Sequence, residues 1–135
     1  MKSLRGERGS ASVLVLGLSL AVLVGIGVAV DGTRTGQAYS QATAIAEEAA
    51  RAGGQALRVR ALADGLDADV DPGVAVAEAQ RYLAVTGATG HARWENGRVI
   101  VETTMSRPTI FLAAIGIPDF TVHGHGAAVV ISGDR

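Results

Sequence analysis

The feature that most constrains this chain is an uninterrupted apolar segment at residues 11–30, ASVLVLGLSLAVLVGIGVAV. It contains no charged residue, and two serines are its only polar side chains. A helix of about 20 apolar residues spans a hydrocarbon core of roughly 30 Å. A soluble helix of the same length would show a polar face at a period of about 3.6 residues, and this segment has none. The segment therefore predicts a transmembrane helix.

The residues before this segment predict its orientation. Three basic residues and one acid precede it: Lys2, Arg5, Arg8 and Glu7. The positive-inside rule then places the N-terminus in the cytoplasm and the remainder outside the bacterial cell membrane. A cleaved secretory signal peptide is the alternative, because Gly27-Val28-Ala29 is an acceptable cleavage site. The length of the apolar run favours a retained anchor, since a signal peptide usually has an apolar core of about 7–15 residues.

Small residues form two patterns that predict close helix packing. Within the apolar segment they recur every four residues and form what we call the small-residue stripe: Gly17, Ala21, Gly25 and Ala29. Such stripes let membrane helices approach closely. Residues 31–63 form an alanine-rich extracytoplasmic stalk helix, in which the alanine face (Ala42, Ala46 and Ala49) would admit another helix or a small sheet. We expect this helix to bend or loosen at Gly53-Gly54, because glycine is a poor helix former.

The rest of the chain predicts a small α+β domain at residues 74–135, which an Asp-rich linker at residues 64–73 joins to the stalk helix. Residues 1–10, before the apolar segment, form a basic leader. Asp71-Pro72 is typical of a helix start, and that helix should end near Thr86. Its inward residues are expected to be Val74, Ala77, Tyr82, Leu83 and Val85. Asn96-Gly97 predicts a hairpin with a type I′ turn. A short helical stretch after Pro108 and a closing strand complete a three-stranded sheet, in a pilin-like layout.

Composition and motifs argue against an enzyme. The chain has 12 basic and 13 acidic residues, so it carries no strong field for nucleic acid, and it has no cysteine for thiolate chemistry. No phosphate-binding loop, dinucleotide fingerprint or nucleophile elbow is present. We therefore expect no catalytic residues, no cofactor and no small-molecule substrate.

Two patterns resemble metal sites but are better explained without a metal. Asp67, Asp69, Asp71 and Glu78 occupy positions of a calcium-binding loop, yet Pro72 stands where that loop needs glycine. His123 and His125 lie on one face of the closing strand, but the spacing of the sequence supplies no third ligand. We interpret the acids as a solvated linker with a helix cap, and the histidines as part of an exposed or edge strand.

Three motifs lie within about the first 57 residues: Gly9-Ser10, the Val30-Asp31 junction with Arg34, and the alanine-rich run that ends at Ala49 to Gly53. In these motifs the chain resembles the TadE/TadG-like proteins of tight-adherence (Flp-type) pilus assembly. The later FLAAIG stretch and the Thr-Val ending are similar to those of short actinobacterial members. Processed prepilins carry Glu at the fifth position after the cleavage glycine. Here that position is Leu14, so the resemblance implies an uncleaved anchor closer to TadG-like proteins.

Two functions of different classes follow. The resemblance implies a single-pass, pilin-like structural or assembly component of a pilus or secretion apparatus, whose partners are the lipid bilayer, other assembly proteins or a second copy of the chain. The alternative is a membrane-tethered ligand-binding or sensory module, which would need a pocket lined by Tyr82, Trp94 and Phe111.

Overall fold

The computed structural model describes residues 7–64 and 71–130. Its elements, in chain order, are helix α1 (Glu7–Asp64), helix α2 (Pro72–Thr86), strand β1 (Thr89–Glu95), strand β2 (Arg98–Pro108), a 3₁₀ helix (Leu112–Ile115) and strand β3 (Asp119–Val129). The strands form one antiparallel sheet in the order β1-β2-β3. The predicted α+β fold, with a long apolar N-terminal helix, a short helix and a three-stranded sheet, is confirmed.

The chain divides into two compact units. Unit 1 contains the chain up to Arg34 together with Pro108–Phe120, and unit 2 contains Thr35–Arg107 and the chain from Thr121 onward. Helix α1 contributes its apolar first half to unit 1 and its alanine-rich second half to unit 2. Each unit therefore combines one half of the helix with a segment distant in sequence.

Local signals set both ends of α2. The Asp71 side chain caps the first turn by accepting a hydrogen bond from the Gly73 backbone N–H at 2.8 Å, and Pro72 follows as the first helical residue. At the other end Gly87 adopts a left-handed conformation with φ of 68°. The boundaries of this helix agree with those that the sequence predicts.

The hairpin also forms at its predicted position. Strands β1 and β2 pair antiparallel, with Trp94 opposite Val99 and Glu95 opposite Arg98. Both turn residues have positive φ, 51° at Asn96 and 75° at Gly97, as a type I′ turn requires. Val99 and Val101 alternate inward along β2 and are fully buried.

The core of unit 2 is built from small side chains, which let backbones approach closely. Its buried members are Ala46, Ala49, Ala50, Leu57, Ala75, Ala79, Leu83, Val99 and Val101. The backbone of β3 lies directly on α1: a Cβ added at Gly124 would overlap the Ala42 carbonyl, and one at Gly126 would overlap the Ala46 carbonyl. Ala42 and Ala46 are four helical residues apart, a rise of about 6 Å, and Gly124 and Gly126 are two strand residues apart, a rise of about 6.6 Å. Because these spacings are similar, each glycine of the strand meets one alanine of the helix.

The expected inward face of α2 is wrong at two residues. Val85 is 78% exposed and Ala77 is also exposed, because α2 packs through Ala75, Ala79 and Leu83 instead. The α-helix also continues through Gly53 and Gly54, both buried, and the Ala75 carbonyl lies where a Gly53 side chain would be. Gly53 is thus a site of close approach between α1 and α2.

Candidate functional site at the end of the apolar helix

The first half of α1 has apolar side chains that the fold leaves uncovered. Among the residues described, α1 is the one helix long and apolar enough to cross a membrane: its 18-residue window has a mean hydropathy of 2.8 and is 6% buried. Leu16 is 72% exposed and Leu20 is 61% exposed. The core helix of a soluble protein would bury most of such a surface. The helix is compatible with a single-pass membrane anchor.

Asp31, the residue that follows this apolar segment, is completely buried within unit 1. Its Oδ1 accepts a hydrogen bond from the Ile110 N–H at 3.0 Å, and its Oδ2 accepts bonds from Phe111 at 3.0 Å and Leu112 at 2.9 Å. These donors lie at the start of the 3₁₀ helix, where backbone N–H groups have no partner within the helix. The carboxylate therefore caps that helix and attaches it to α1.

The hydrogen bonds also explain the electrostatics of this carboxylate. The backbone N–H of Ile110, followed by that of Leu112, lowers the pKa of Asp31 below its ordinary value of 3.8. Phe111 and the positive charge of Arg34 act in the same direction, while burial opposes them. Asp31 is therefore ionised at neutral pH and accepts all three bonds as a carboxylate.

Residues 109–118, TIFLAAIGIP, form what we call the apolar loop, which lies against the last turns of the apolar segment. Phe111 packs on Gly27, and its Cγ lies 2.6 Å from the position that a Gly27 Cβ would take. Only glycine fits beneath the phenyl ring at this point. The loop contains no charged residue, and Ile115 is 73% exposed.

The backbone of the apolar loop makes most of its hydrogen bonds internally. The Thr109 N–H donates to the Pro118 carbonyl at 3.0 Å and closes the loop. Ile117 N donates to Leu112 O at 3.0 Å, and Gly116 N donates to Ala113 O at 3.1 Å. Together with the three bonds to Asp31, these contacts leave a compact irregular segment with few backbone donors available to water.

The small-residue stripe is exposed along its whole length. Gly17, Ala21, Gly25 and Ala29 are all exposed, and a Cβ built on Gly17 or Gly25 meets no described atom within 4 Å apart from the neighbouring residues and backbone of its own helix. The face thus has the shape that close helix–helix packing requires.

The alanine face, in contrast, is not available to a partner helix. Ala42, Ala46 and Ala49 are each 0% exposed, because β3 and the rest of the unit 2 core lie over them. Of the two occupants that the sequence allows, a second helix or a small sheet, the structure has the chain's own sheet. The proposed packing of these three alanines against another protein's helix is therefore wrong.

The remaining residues of the resemblance motif lie on α1. Gly9 and Ser10 are exposed in its first turns, and Arg34 is exposed one turn after Asp31. Of Gly9, Ser10, Asp31 and Arg34, only Asp31 is buried, whereas Ala49, Ala50 and Gly53 of the alanine-rich run are buried in unit 2.

The outer face of the sheet carries charged and histidine side chains. Arg93 Nη1 donates to Glu102 Oε1 at 2.6 Å, and His91 Nε2 lies 3.3 Å from Glu102 Oε2. This pairing, chiefly the hydrogen bond from Arg93, lowers the pKa of Glu102. His123 and His125 are exposed on the same strand, as predicted, with His123 Nδ1 lying 3.3 Å from Thr104 Oγ1. Within the described residues no three His, Asp or Glu side chains could hold a metal ion.

The other sequence patterns do not meet in a site. Asp67 and Asp69 lie outside the described residues, while Asp71 caps α2 and Glu78 pairs with Arg81 at 3.3 Å. The aromatic residues expected to line one pocket are divided between the units: Tyr82 and Trp94 pack on the core of unit 2, whereas Phe111 belongs to unit 1.

A cleft of about 300 Å³ in unit 2, between Gln41, Thr86 and Arg107, is lined by no acid and no histidine. The Arg107 guanidinium there donates to Gln41 Oε1 at 3.0 Å. The lining includes threonine hydroxyls and that of Ser106, but no acid or histidine that could act on them as a general base.

Sequence reasoning missed the contact between Asp31 and the apolar loop. The partners are 79 to 81 residues apart, so no local pattern reveals them. The available signals were an acid placed directly after an apolar span and an uncharged apolar stretch between two strands.

No protein-family model, curated protein or solved structure matches the chain.

Proposed function

We propose that this chain is a single-pass, membrane-anchored structural component that holds unit 2 outside the bacterial cell membrane and takes part in a pilus or secretion assembly. The observation that carries the anchor is the 18-residue window of α1, which has a mean hydropathy of 2.8 and is 6% buried. An apolar surface of this kind is unstable in water unless lipid or another protein covers it. The basic leader supports a cytoplasmic N-terminus.

Two features support an assembly role. The N-terminal motifs resemble TadE/TadG-like proteins at Gly9-Ser10, Asp31 and Arg34. The small-residue stripe provides an exposed face on which a second span, from another assembly protein or from a second copy, can pack closely. Because the alanine face is filled by the chain's own sheet, helix–helix contact is proposed for the membrane segment alone.

Cysteine labelling tests the anchor, since the native chain has no cysteine. In spheroplasts, a membrane-impermeant maleimide should label Val59→Cys, which replaces an exposed residue of unit 2. The same reagent should label Ser3→Cys only after the membrane is permeabilised. Intact mass of the extracted protein distinguishes a retained anchor from cleavage after Gly9 or Ala29. Labelling of both sites in spheroplasts, or recovery of the protein from the medium, would contradict the proposal.

Disulfide crosslinking in native membranes tests the packing. Ala21→Cys lies within the small-residue stripe, whereas Leu23→Cys lies about 200° around the helix, because successive residues turn by about 100°. We expect a crosslinked product at Ala21 and little at Leu23. Equal crosslinking at the two positions would show random collision, and none at either would remove the span as a surface between two copies of the chain.

A further inference from the structure

The apolar loop exposes large hydrophobic side chains that contribute nothing to the core of unit 2. Ile110 is 51% exposed, Phe111 46%, Ile115 73% and Ile117 46%. These side chains occur within a single uncharged stretch of ten residues, 109–118. Contiguous exposed apolar groups of this kind mark a surface that contacts a partner or a membrane.

The attachment of the loop to α1 fixes its level along the helix. Asp31 holds residues 110 to 112 directly after the apolar segment, and Phe111 packs on Gly27, four residues earlier. Four helical residues correspond to about 6 Å, so the phenyl ring lies beside the last turn of a segment whose 20 residues match the hydrocarbon core. When that segment crosses the bilayer, the loop is at the depth of the outer leaflet.

The chemistry of the loop also suits a lipid environment. An irregular segment can enter the membrane only if its backbone N–H and C=O groups have partners, because each unsatisfied group costs several kcal/mol there. Asp31 satisfies three N–H groups at the point where the 3₁₀ helix begins, and the bond from Thr109 to Pro118 closes the loop on itself. Arg107 before the loop and Asp119 after it limit the apolar stretch on both sides.

We propose that the apolar loop inserts into the outer leaflet beside the transmembrane helix and forms a second contact of this chain with lipid. This inference rests on the proposed anchor, and it assigns to Asp31 the role of holding the loop in register with the end of the span. The occupant of the exposed apolar face is the acyl and glycerol region of the bilayer. Lipid is the expected occupant because this face is continuous with the exposed apolar surface of α1.

Site-directed fluorescence in phosphatidylcholine proteoliposomes tests the insertion with the full chain. An NBD probe is attached to Ile115→Cys in the loop, to Leu20→Cys in the span, or to Val59→Cys on the exposed surface of unit 2. Each sample is titrated with aqueous iodide and, separately, with lipids that carry a doxyl quencher near the headgroup or near the bilayer centre. We expect the Ile115 probe to be quenched several-fold more by the shallow doxyl lipid than the Val59 probe is, and to resist iodide.

The outcomes separate this inference from the anchor. If the Leu20 probe is quenched by the deep doxyl lipid while the Ile115 probe behaves like the Val59 probe, the anchor stands and the insertion is wrong. If the Ile115 probe resists both iodide and doxyl lipids, protein rather than lipid covers the loop, and the insertion is again wrong. A Leu20 probe open to iodide contradicts the anchor itself.

A second variant tests the role assigned to Asp31. Asp31→Ala removes the acceptor of the three N–H bonds and should lower the shallow quenching at Ile115 several-fold, while the deep quenching at Leu20 is unchanged. Full retention of shallow quenching in Asp31→Ala would overturn the role assigned to Asp31.

Discussion

A single carboxylate determines how the apolar loop is held. Asp31 is completely buried, a position that carboxylates rarely take unless they are paired or well hydrogen-bonded. The three backbone N–H groups of residues 110 to 112 supply that stabilisation in a geometry that suits a charged acceptor. Replacement of Asp31 by a residue without an acceptor would leave all three backbone N–H groups without their partner at once.

This arrangement predicts a specific pH dependence. The pKa of Asp31 is lower in the folded chain than its ordinary value of 3.8, so its stabilising contribution is complete above that value. The contribution is lost as the pH falls below 3.8 and through the folded-state pKa. Amide exchange at Ile110, Phe111 and Leu112, corrected for intrinsic rates and measured in detergent micelles, should therefore accelerate in this acidic window.

Variants of Asp31 separate charge from hydrogen bonding. Asp31→Asn keeps one carbonyl acceptor and should lose part of the protection at residues 110 to 112, whereas Asp31→Ala should lose most of it. Neither variant should show the acidic transition. The Gly116 N–H, which donates to Ala113 O within the loop, serves as the internal control. An unchanged acidic transition in Asp31→Asn would assign it to another group.

Two threonines in unit 2 form a matched pair for stability. Thr103 Oγ1 donates to the Ala42 carbonyl at 2.8 Å, whereas Thr43 Oγ1 is buried without a hydrogen-bond partner among the described residues. Thr103→Val should lower the free energy of unfolding by about 0.5–1.5 kcal/mol, and Thr43→Val should leave it unchanged or raise it. Urea titration in mild detergent, followed by the fluorescence of Trp94, measures both. A larger loss for Thr43→Val than for Thr103→Val would contradict this assignment.

At the residue scale, the sequence predicts what depends on near neighbours. The Asp71 cap and the Asn96-Gly97 turn follow from residues within one turn of the chain, and both form as predicted. The roles of Asp31 and Gly27 depend on a segment about eighty residues away, and no local rule assigns them. A glycine in the sequence is ambiguous for the same reason. Whether it marks a close approach depends on the element that packs against it, and the local sequence does not identify that element.

At the scale of elements, small residues decide which surfaces meet. The alanines of α1 indicate that something packs closely on the helix, but they do not identify it as β3. The identity depends on Gly124 and Gly126, which alternate with His123 and His125 so that the glycines face α1 and the histidines face outward. The alternation of residues along β3 was predicted from the sequence. The contact of its glycines with the alanines of α1 was found only in the structure.

The adjacent glycines of α1 predict opposite effects of one substitution. A Cβ at Gly53 would lie 2.5 Å from the Ala75 carbonyl oxygen, whereas a Cβ at Gly54 would meet the Ala128 Cβ at an ordinary 3.5 Å. Gly53→Ala should therefore destabilise unit 2 by about 1–3 kcal/mol through overpacking. Gly54→Ala should stabilise it by up to about 1 kcal/mol, because alanine is the better helix former.

The same urea titration followed by Trp94 fluorescence distinguishes these two variants, each of which adds a single methyl group. Destabilisation of similar size in both would mean that the helix needs glycine for flexibility there, as the sequence alone suggests. Opposite signs would support close packing of α2 on α1 as the reason for Gly53.

At the scale of the whole molecule, one continuous helix contributes to both units. Its first half leaves its apolar side chains exposed, while its second half supplies a large part of the unit 2 core. The predicted linker at residues 64–73 suggested that the domain begins only after the helix. The structure shows instead that Ala46, Ala49, Ala50 and Leu57 belong to the same core as the sheet. The folding unit therefore includes residues well before the linker.

This organisation predicts which fragments fold. A fragment of residues 35–135 retains the alanine face and should show a cooperative urea transition by Trp94 fluorescence. A fragment of residues 62–135 lacks every α1 residue that β3 contacts and leaves Val99, Val101 and Leu83 without their cover, so it should show no cooperative transition. The fragment of residues 62–135 is also near the length below which a domain rarely retains a core, so it should not fold without the α1 residues. Cooperative unfolding of residues 62–135 at the same urea concentration as residues 35–135 would show that the sheet and α2 form a domain without α1.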